Sequence, residues 1–178
     1  YEMVIRDWSS DVCASDLKER QEKQVMDAEL ARAASIQNNL LTKTYPPLDG
    51  YVIHAYQEQS RQVGGDLYDV ATLPDGRVLF LVADVSGKGM GAALLMSNIL
   101  ASFRILYGQA EFDLRKVVMQ VSNQLCRYSA PENFATLFVG IIDPGTNELR
   151  FINAGHNPPI VVRSDGSHQH LEASGIMI

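Results

Sequence analysis

Residues 77–97, RVLFLVADVSGKGMGAALLMS, decide the fold of this chain. The first nine have the period-two apolar pattern of a half-buried strand, and this strand ends with Asp84 and Val85. Gly87 and Gly89 then break the pattern. A helix follows, in which the apolar side chains recur at intervals of three and four: Ala92, Leu95, Met96, Ile99, Phe103 and Leu106. A carboxylate at a strand end, followed by glycines and a helix, can approach a ligand together with backbone groups.

The flanking segments predict further strands and one further helix. Before this stretch lie two more candidate strands, YVIHAYQE at 51–58 and DLYDVATL at 66–73. After it, a second helix is predicted to begin with Asp113 as its N-cap. Four more candidate strands then follow: ATLFVGIID at 135–143, ELRFINA at 148–154, PIVVRSD at 159–165 and QHLEA at 169–173.

The order of these elements sets the fold class. Strands, then a helix pair, then more strands do not show the alternation of a parallel doubly wound sheet. We therefore predict an α+β fold, a layered αββα sandwich of antiparallel sheets with a central helix pair.

The N-terminal region differs in sequence pattern from the domain that follows it. Residues 17–44 are predicted to be a linker helix, since Gly and Pro are absent from Leu17 to Leu41 and Pro46-Pro47 ends the pattern. This helix either pairs with a second copy, giving a homodimer, or packs on its own domain. Residues 1–16 are predicted to be a non-native or disordered tail, and residues 45–178 a single domain.

Composition excludes several classes of protein. The chain has 178 residues, 46% of them apolar, and a formal net charge of -6. That charge argues against binding nucleic acid through phosphate neutralisation. No apolar run approaches the roughly 20 residues that span a bilayer. The two cysteines, Cys13 and Cys126, are too few for a disulfide framework or a four-ligand zinc site, so we expect a cytoplasmic protein.

Two carboxylates are the candidate site. Asp66 follows Gly64-Gly65 at the start of a strand, and Asp84 ends the next one. Carboxylate oxygens suit Mg²⁺ or Mn²⁺ better than zinc or copper. The alternative is that the glycines serve only a turn and that Asp84 serves only as a helix cap.

Other motifs are weaker. The glycine run lacks the P-loop spacing, and Ser86 lacks a nucleophile elbow. Cys126 is expected to be a buried, inert thiol. Surface or turn roles are expected for the histidines, which are His54, His156, His168 and His170.

Four motifs carry a resemblance to a known family. They are VGGDLYDV at 63–70, LVADVSGKGMGAALLMS at 81–97, FATLFVGIIDP at 134–144 and FINAGHNPPIVVR at 151–163. In this order and at these separations they resemble the PPM-type metal-dependent protein phosphatases, in the bacterial branch of SpoIIE and RsbU. The helix AELARAASIQNNLL at 28–41 also resembles the linker helix of that branch.

The resemblance implies an αββα sandwich with two Mn²⁺ or Mg²⁺ ions near the sheet ends. It places the metal-bridging aspartate on Asp84, a carbonyl ligand on Val85 and an earlier acidic ligand on Asp66, with Asp69 as a less certain addition. Asp66 and Asp84 are thus the candidate catalytic residues. The helix from Met90 resembles an element that couples regulatory input to metal binding. The NAGHNPP turn is expected to be structural.

The implied reaction is hydrolysis of a phosphoserine or phosphothreonine by metal-activated water. The implied substrate is a phosphorylated STAS-domain anti-anti-sigma protein, in partner-switching control of a sigma factor. An upstream sensor domain is expected in the full-length protein.

The resemblance is incomplete at the C-terminal end. In this branch two more aspartates complete the metal site, and they would follow Ile178. We therefore expect a chain truncated at its C-terminus, with little activity of its own. Two alternatives stay open. One is a non-catalytic module of this fold that binds the STAS partner, and the weaker one is an ATP-binding kinase-like fold.

Overall fold

A four-stranded antiparallel sheet covered by two helices forms the centre of the computed structural model, which describes residues 8–48, 50–58, 62–109 and 111–178. The strand order is β1-β2-β3-β4. The sheet consists of β1 (Leu67–Thr72), β2 (Val78–Val85), β3 (Ala135–Asp143) and β4 (Glu148–Ala154). The helices are α1 (Trp8–Leu40), α2 (Met90–Tyr107) and α3 (Leu114–Tyr128), and β5 (Ile160–Val162) pairs with β6 (His168–His170) in a separate hairpin. The α+β class and the antiparallel pairing are as predicted.

The main core lies between this sheet and the helix pair α2–α3. Alternation along β2 sends every second side chain into it, and each of these is almost completely buried. They are Leu79, Leu81, Ala83 and Val85. From α2, the buried Met96, Ile99 and Phe103 meet them. Asp113 caps α3 as predicted, since its side chain accepts a hydrogen bond from the Lys116 amide at 3.0 Å.

Strand register brings the two candidate aspartates to one edge. In the β1–β2 pair, Leu67 lies opposite Ala83. In antiparallel strands the residue before Leu67 then faces the residue after Ala83. Asp66 therefore comes opposite Asp84, on the sheet face away from α2 and α3.

The predicted strand at 51–58 is wrong. The segment forms no strand, and Val52 and Tyr56 are more than 80% exposed. It lies instead along the sheet face away from α2 and α3, where it lines a cavity with Tyr68, Phe80 and Val82. An alternating pattern fits a strand, but only a neighbouring strand can satisfy its backbone groups, and none of the described residues pairs with it.

Helix α1 begins nine residues earlier than predicted, at Trp8 rather than Leu17. From residue 15 to 29 its side chains are exposed, while Gln37 near its end is buried. The helix thus meets the domain only through its last turns. Residues 8–16 of the predicted tail are therefore helical rather than disordered. Residues 1–7 lie outside the described residues, and the non-native origin of the tail stays a prediction.

Helix α2 is long and apolar enough to cross a membrane by length and composition alone. Much of its surface instead packs in the core, with Met96 and Phe103 completely buried. A core helix of a globular domain meets the same length and composition test.

Candidate metal centre

Asp66 and Asp84 meet in an open cleft at the end of β1 and β2. The cleft has a volume of about 580 Å³. Four stretches of chain line it, and we call it the aspartate cleft: residues 54–58, 66–68, 82–84 and 156–157. The pKa of Asp66 is raised, first by partial burial and then by the charge and hydrogen bonding of Asp84. Two carboxylates held this close repel each other when both are ionised, and a divalent cation between them would relieve that repulsion.

Glycine residues let the two strand ends approach. A Cβ on Gly65 would lie 2.6 Å from the carbonyl oxygen of Val85, so only glycine fits at this point. The Val85 amide donates to the Gly65 carbonyl at 3.4 Å. Gly87 and Gly89 then take positive φ angles of 94° and 73°, which turn the chain directly into α2. The carbonyl oxygen of Val85, the predicted ligand, therefore lies close to Gly65, and Val85 is not among the residues that line the aspartate cleft.

The end of α1 holds the turn that carries Asp66. The amide group of Gln37 donates to the Gly64 carbonyl at 2.6 Å and accepts from the Gly64 amide at 3.2 Å. On the other side of the turn, Gln57 donates to the Asp66 carbonyl at 2.8 Å. The backbone at Gly64 and Asp66 is thus fixed by the side chains of Gln37 and Gln57.

His156 is a residue of this site that the sequence analysis placed in a structural turn. Its ring lies in the aspartate cleft, with Nδ1 at 2.8 Å from the Thr136 hydroxyl. Its pKa is lowered by burial, and the nearby Asp84 and Asp66 oppose that shift. The turn is also structural, because buried Asn153 accepts from the His156 amide at 2.8 Å and donates to the Leu171 carbonyl at 3.0 Å.

Asp69 is where the structure departs from the predicted site. Its carboxylate is 2% exposed and lies on the helix side of the sheet. Arg104 of α2 binds it with two hydrogen bonds, of 2.8 and 3.0 Å, and the Thr42 hydroxyl also donates to it. An aspartate already bound by a guanidinium has no free oxygen face for a cation in the cleft, so we leave Asp69 out of the candidate ligand set.

The oxygen donors of the site are of the kind that a hard divalent cation prefers, but there are few of them. The two carboxylates in the cleft offer oxygen, which Mg²⁺ and Mn²⁺ prefer, and the Val85 carbonyl stays a predicted third donor. Within the described ranges, no three His, Cys, Asp or Glu side chains come close enough to share a metal ion. Water would therefore fill several coordination positions of an ion held by Asp66 and Asp84.

Cys126 is exposed on α3, so the prediction of a buried thiol is wrong. The apolar stripe of α3 that faces the core consists of Val117, Val118, Val121 and Leu125, and Cys126 falls one position beyond it. The cysteine takes no part in the aspartate cleft.

Comparison with known proteins decides the family. The family described as stage II sporulation protein E (SpoIIE) matches residues 74–178, more than half of the chain. The chain belongs to the SpoIIE family. Protein IcfG of Synechocystis is 32% identical over 83% of the SpoIIE-family chain and 27% of IcfG. Phosphoserine phosphatase RsbU of Bacillus subtilis is 28% identical over 88% of the chain and 46% of RsbU. The chain thus spans less than half the length of these curated relatives.

Solved structures agree with this membership. The RsbU and RsbW domains of a Mycobacterium tuberculosis protein match 67% of the chain and 33% of theirs, with 30% identity and a TM-score of 0.58. The SiaA-PP2C domain of Pseudomonas aeruginosa matches 89% of the chain and 64% of its own, with a TM-score of 0.66. At 18% identity this second likeness shows the fold alone.

Proposed function

We propose that the full-length protein is a protein serine/threonine phosphatase whose substrate is a phosphorylated STAS-type anti-anti-sigma protein. The observation that carries this proposal is the meeting of Asp66 and Asp84 in an open cleft beside His156. Membership of a family whose relatives include the phosphoserine phosphatases RsbP and RsbU supports the reaction class. The proposed setting is partner-switching signal transduction in the cytoplasm, under an upstream sensor domain.

Asp66 and Asp84 are the proposed ligands of Mn²⁺ or Mg²⁺, with the Val85 carbonyl as a third oxygen donor. Such an ion, when bound, supplies a polarised water as nucleophile and neutralises charge on the phosphoryl oxygens. The protein's own part is to hold the two carboxylates together. The contact between Gly65 and Val85 and the brace from Gln37 do this at the strand ends.

His156 is the proposed group that meets the phosphorylated side chain. The Thr136 hydroxyl occupies Nδ1, which leaves Nε2 for a hydrogen bond within the cleft. Burial lowers its pKa, which favours the neutral ring. A neutral imidazole orients a ligand without competing with a cation for the two carboxylates.

The test is Mn²⁺-dependent release of phosphate from a phosphorylated STAS-domain protein by the full-length protein. Asp84→Asn is expected to lower turnover by at least about 10²-fold, because one of two carboxylate ligands is lost. Asp165→Asn, at an exposed turn outside the cleft, is the matched control and should turn over normally. Equal activity in wild type and Asp84→Asn would reject the site.

A second candidate function is a non-catalytic module that binds the STAS partner. The small ligand set favours it, because among the described residues no third His, Cys, Asp or Glu groups with Asp66 and Asp84 to hold a metal ion. This candidate predicts binding of the phosphorylated partner without phosphate release, with the same affinity in wild type and Asp84→Asn. Single-turnover phosphate release from a saturated complex would exclude it.

Pairing of α1 with a second copy is a further part of the proposal. Four apolar side chains of α1 are more than half exposed, and this exposure supports such pairing. They are Leu17, Val25, Met26 and Ile36. Val25→Glu should shift a dimer toward monomer in sedimentation experiments, whereas Lys23→Glu on the same helix should not. A monomeric wild type would contradict the pairing.

A further inference from the structure

The hairpin β5–β6 carries two histidines that the proposed phosphatase site does not use. His168 and His170 are the first and last residues of β6, and both are exposed. Side chains two positions apart on a strand point to the same face. The two imidazole rings are neighbours there, with centroids 5.9 Å apart and planes at 77°.

We propose that His168 and His170 bind one divalent ion of the Cu²⁺, Ni²⁺ and Zn²⁺ class. A histidine nitrogen binds zinc at about 2.0–2.1 Å, so two rings that share an ion have centroids no more than about 6.4 Å apart. For a tetrahedral angle at the ion, the same separation is about 5.2 Å. The observed 5.9 Å lies between these limits, so small side-chain rotations bring both rings onto one ion.

The surroundings of the pair leave the rings free to bind. Across the hairpin, Val162 lies opposite His168 and Ile160 opposite His170, so uncharged side chains share this face. The nearest cation of the hairpin turns away, because Arg163 donates at 3.4 Å to Gln169 on the opposite face.

The chemistry separates this site from the aspartate cleft. Imidazole suits zinc, copper and nickel, whereas carboxylate oxygens suit magnesium and manganese. Within the described ranges no third His, Cys, Asp or Glu joins the pair, so water completes the coordination. The hairpin is therefore an exposed two-ligand site, selective against the ions proposed for Asp66 and Asp84.

The test titrates Zn²⁺ into the untagged 178-residue chain by calorimetry and follows Cu²⁺ by electron paramagnetic resonance, both at about pH 8. The matched variant combines Gln169→His with His170→Gln. It keeps the number of histidines but places two neighbouring rings on opposite faces of the strand. Binding of one ion per chain is expected, weakened in this variant by about 10-fold or more because the second ligand is no longer within reach.

Two outcomes would overturn the proposal. One is equal affinity in wild type and the rearranged variant. The other is loss of the same ion in Asp84→Asn or His156→Gln, which would assign it to the aspartate cleft. Retention of the ion in Asp84→Asn, with loss in His168→Gln, is the result we expect. Because His168, Gln169 and His170 are exposed, circular dichroism of the hairpin variants should show an unchanged fold.

Discussion

Removing the guanidinium that binds Asp69 should destabilise the domain strongly. In Arg104→Met the Asp69 carboxylate, 2% exposed, loses two hydrogen bonds and its only charged partner among the described residues, and keeps the Thr42 hydroxyl. Breaking a buried ion pair from one side costs about 3–5 kcal/mol. Because the Arg104 side chain is 37% exposed, water reaches the site and we expect about 2–3 kcal/mol. For a chain of this size that lowers Tm by about 6–9 °C.

The assay is thermal unfolding followed by circular dichroism, without added metal. Arg150→Met is the matched control, since its ion pair with Glu148 has a similar length of 3.0 Å but is exposed on both sides. That control should lose little stability, because an exposed ion pair contributes little. Adding Asp69→Asn to Arg104→Met removes the unpaired charge and should restore at least half of the loss. A loss in Arg104→Met no larger than in Arg150→Met would refute the structural role of Asp69.

Two further predictions concern the strand ends that form the aspartate cleft. Gly65→Ala should lower the free energy of unfolding in urea by about 1–3 kcal/mol, because its Cβ would overlap the Val85 carbonyl. Gly91→Ala is the control: the space around Gly91 is open, so this variant should be neutral or more stable by up to about 1 kcal/mol. Equal effects of the two substitutions would contradict the close approach of Gly65 to Val85. Asp66→Asn should stabilise the metal-free chain at pH 7 by about 0.5 kcal/mol, a small value because the carboxylate is solvent-screened. Partial burial and Asp84 raise the folded pKa of Asp66, so its favourable contribution exists at low pH and is lost as pH rises through that pKa. In urea unfolding, the extra stability of Asp66→Asn over wild type should therefore shrink as the pH falls toward about 4. An Asp66→Asn variant less stable than wild type at pH 7 would contradict this prediction.

Local sequence was sufficient to predict the meeting of Asp66 and Asp84. Both lie at the ends of adjacent strands joined by a short turn, and an antiparallel pair brings such ends together. The same reasoning could have excluded Asp69. It follows Asp66 by three positions, an odd number, so an alternating strand places the two carboxylates on opposite faces.

The parts of the site that sequence reasoning missed depend on long-range placement. His156 reaches the cleft because β3 and β4 pair with Phe138 opposite Asn153, a register that no local pattern reports. The alternation of residues 51–58 is typical of a strand, but it does not specify a partner. The apolar spacing of α1 correctly predicted a helix. It does not predict which part of the helix stays exposed, because that depends on which surfaces of the domain contact it.

The most direct test of the central claim is the Mn²⁺ affinity of the 178-residue chain, measured by electron paramagnetic resonance of free Mn²⁺. If Asp66 and Asp84 hold one ion together, Asp66→Asn and Asp84→Asn each lower the affinity by at least about 10-fold, because ligand charge sets the binding strength. Asp69→Asn, whose carboxylate is bound by Arg104, should leave it unchanged. An unchanged affinity in both cleft variants, or an equal fall in Asp69→Asn, would contradict the account.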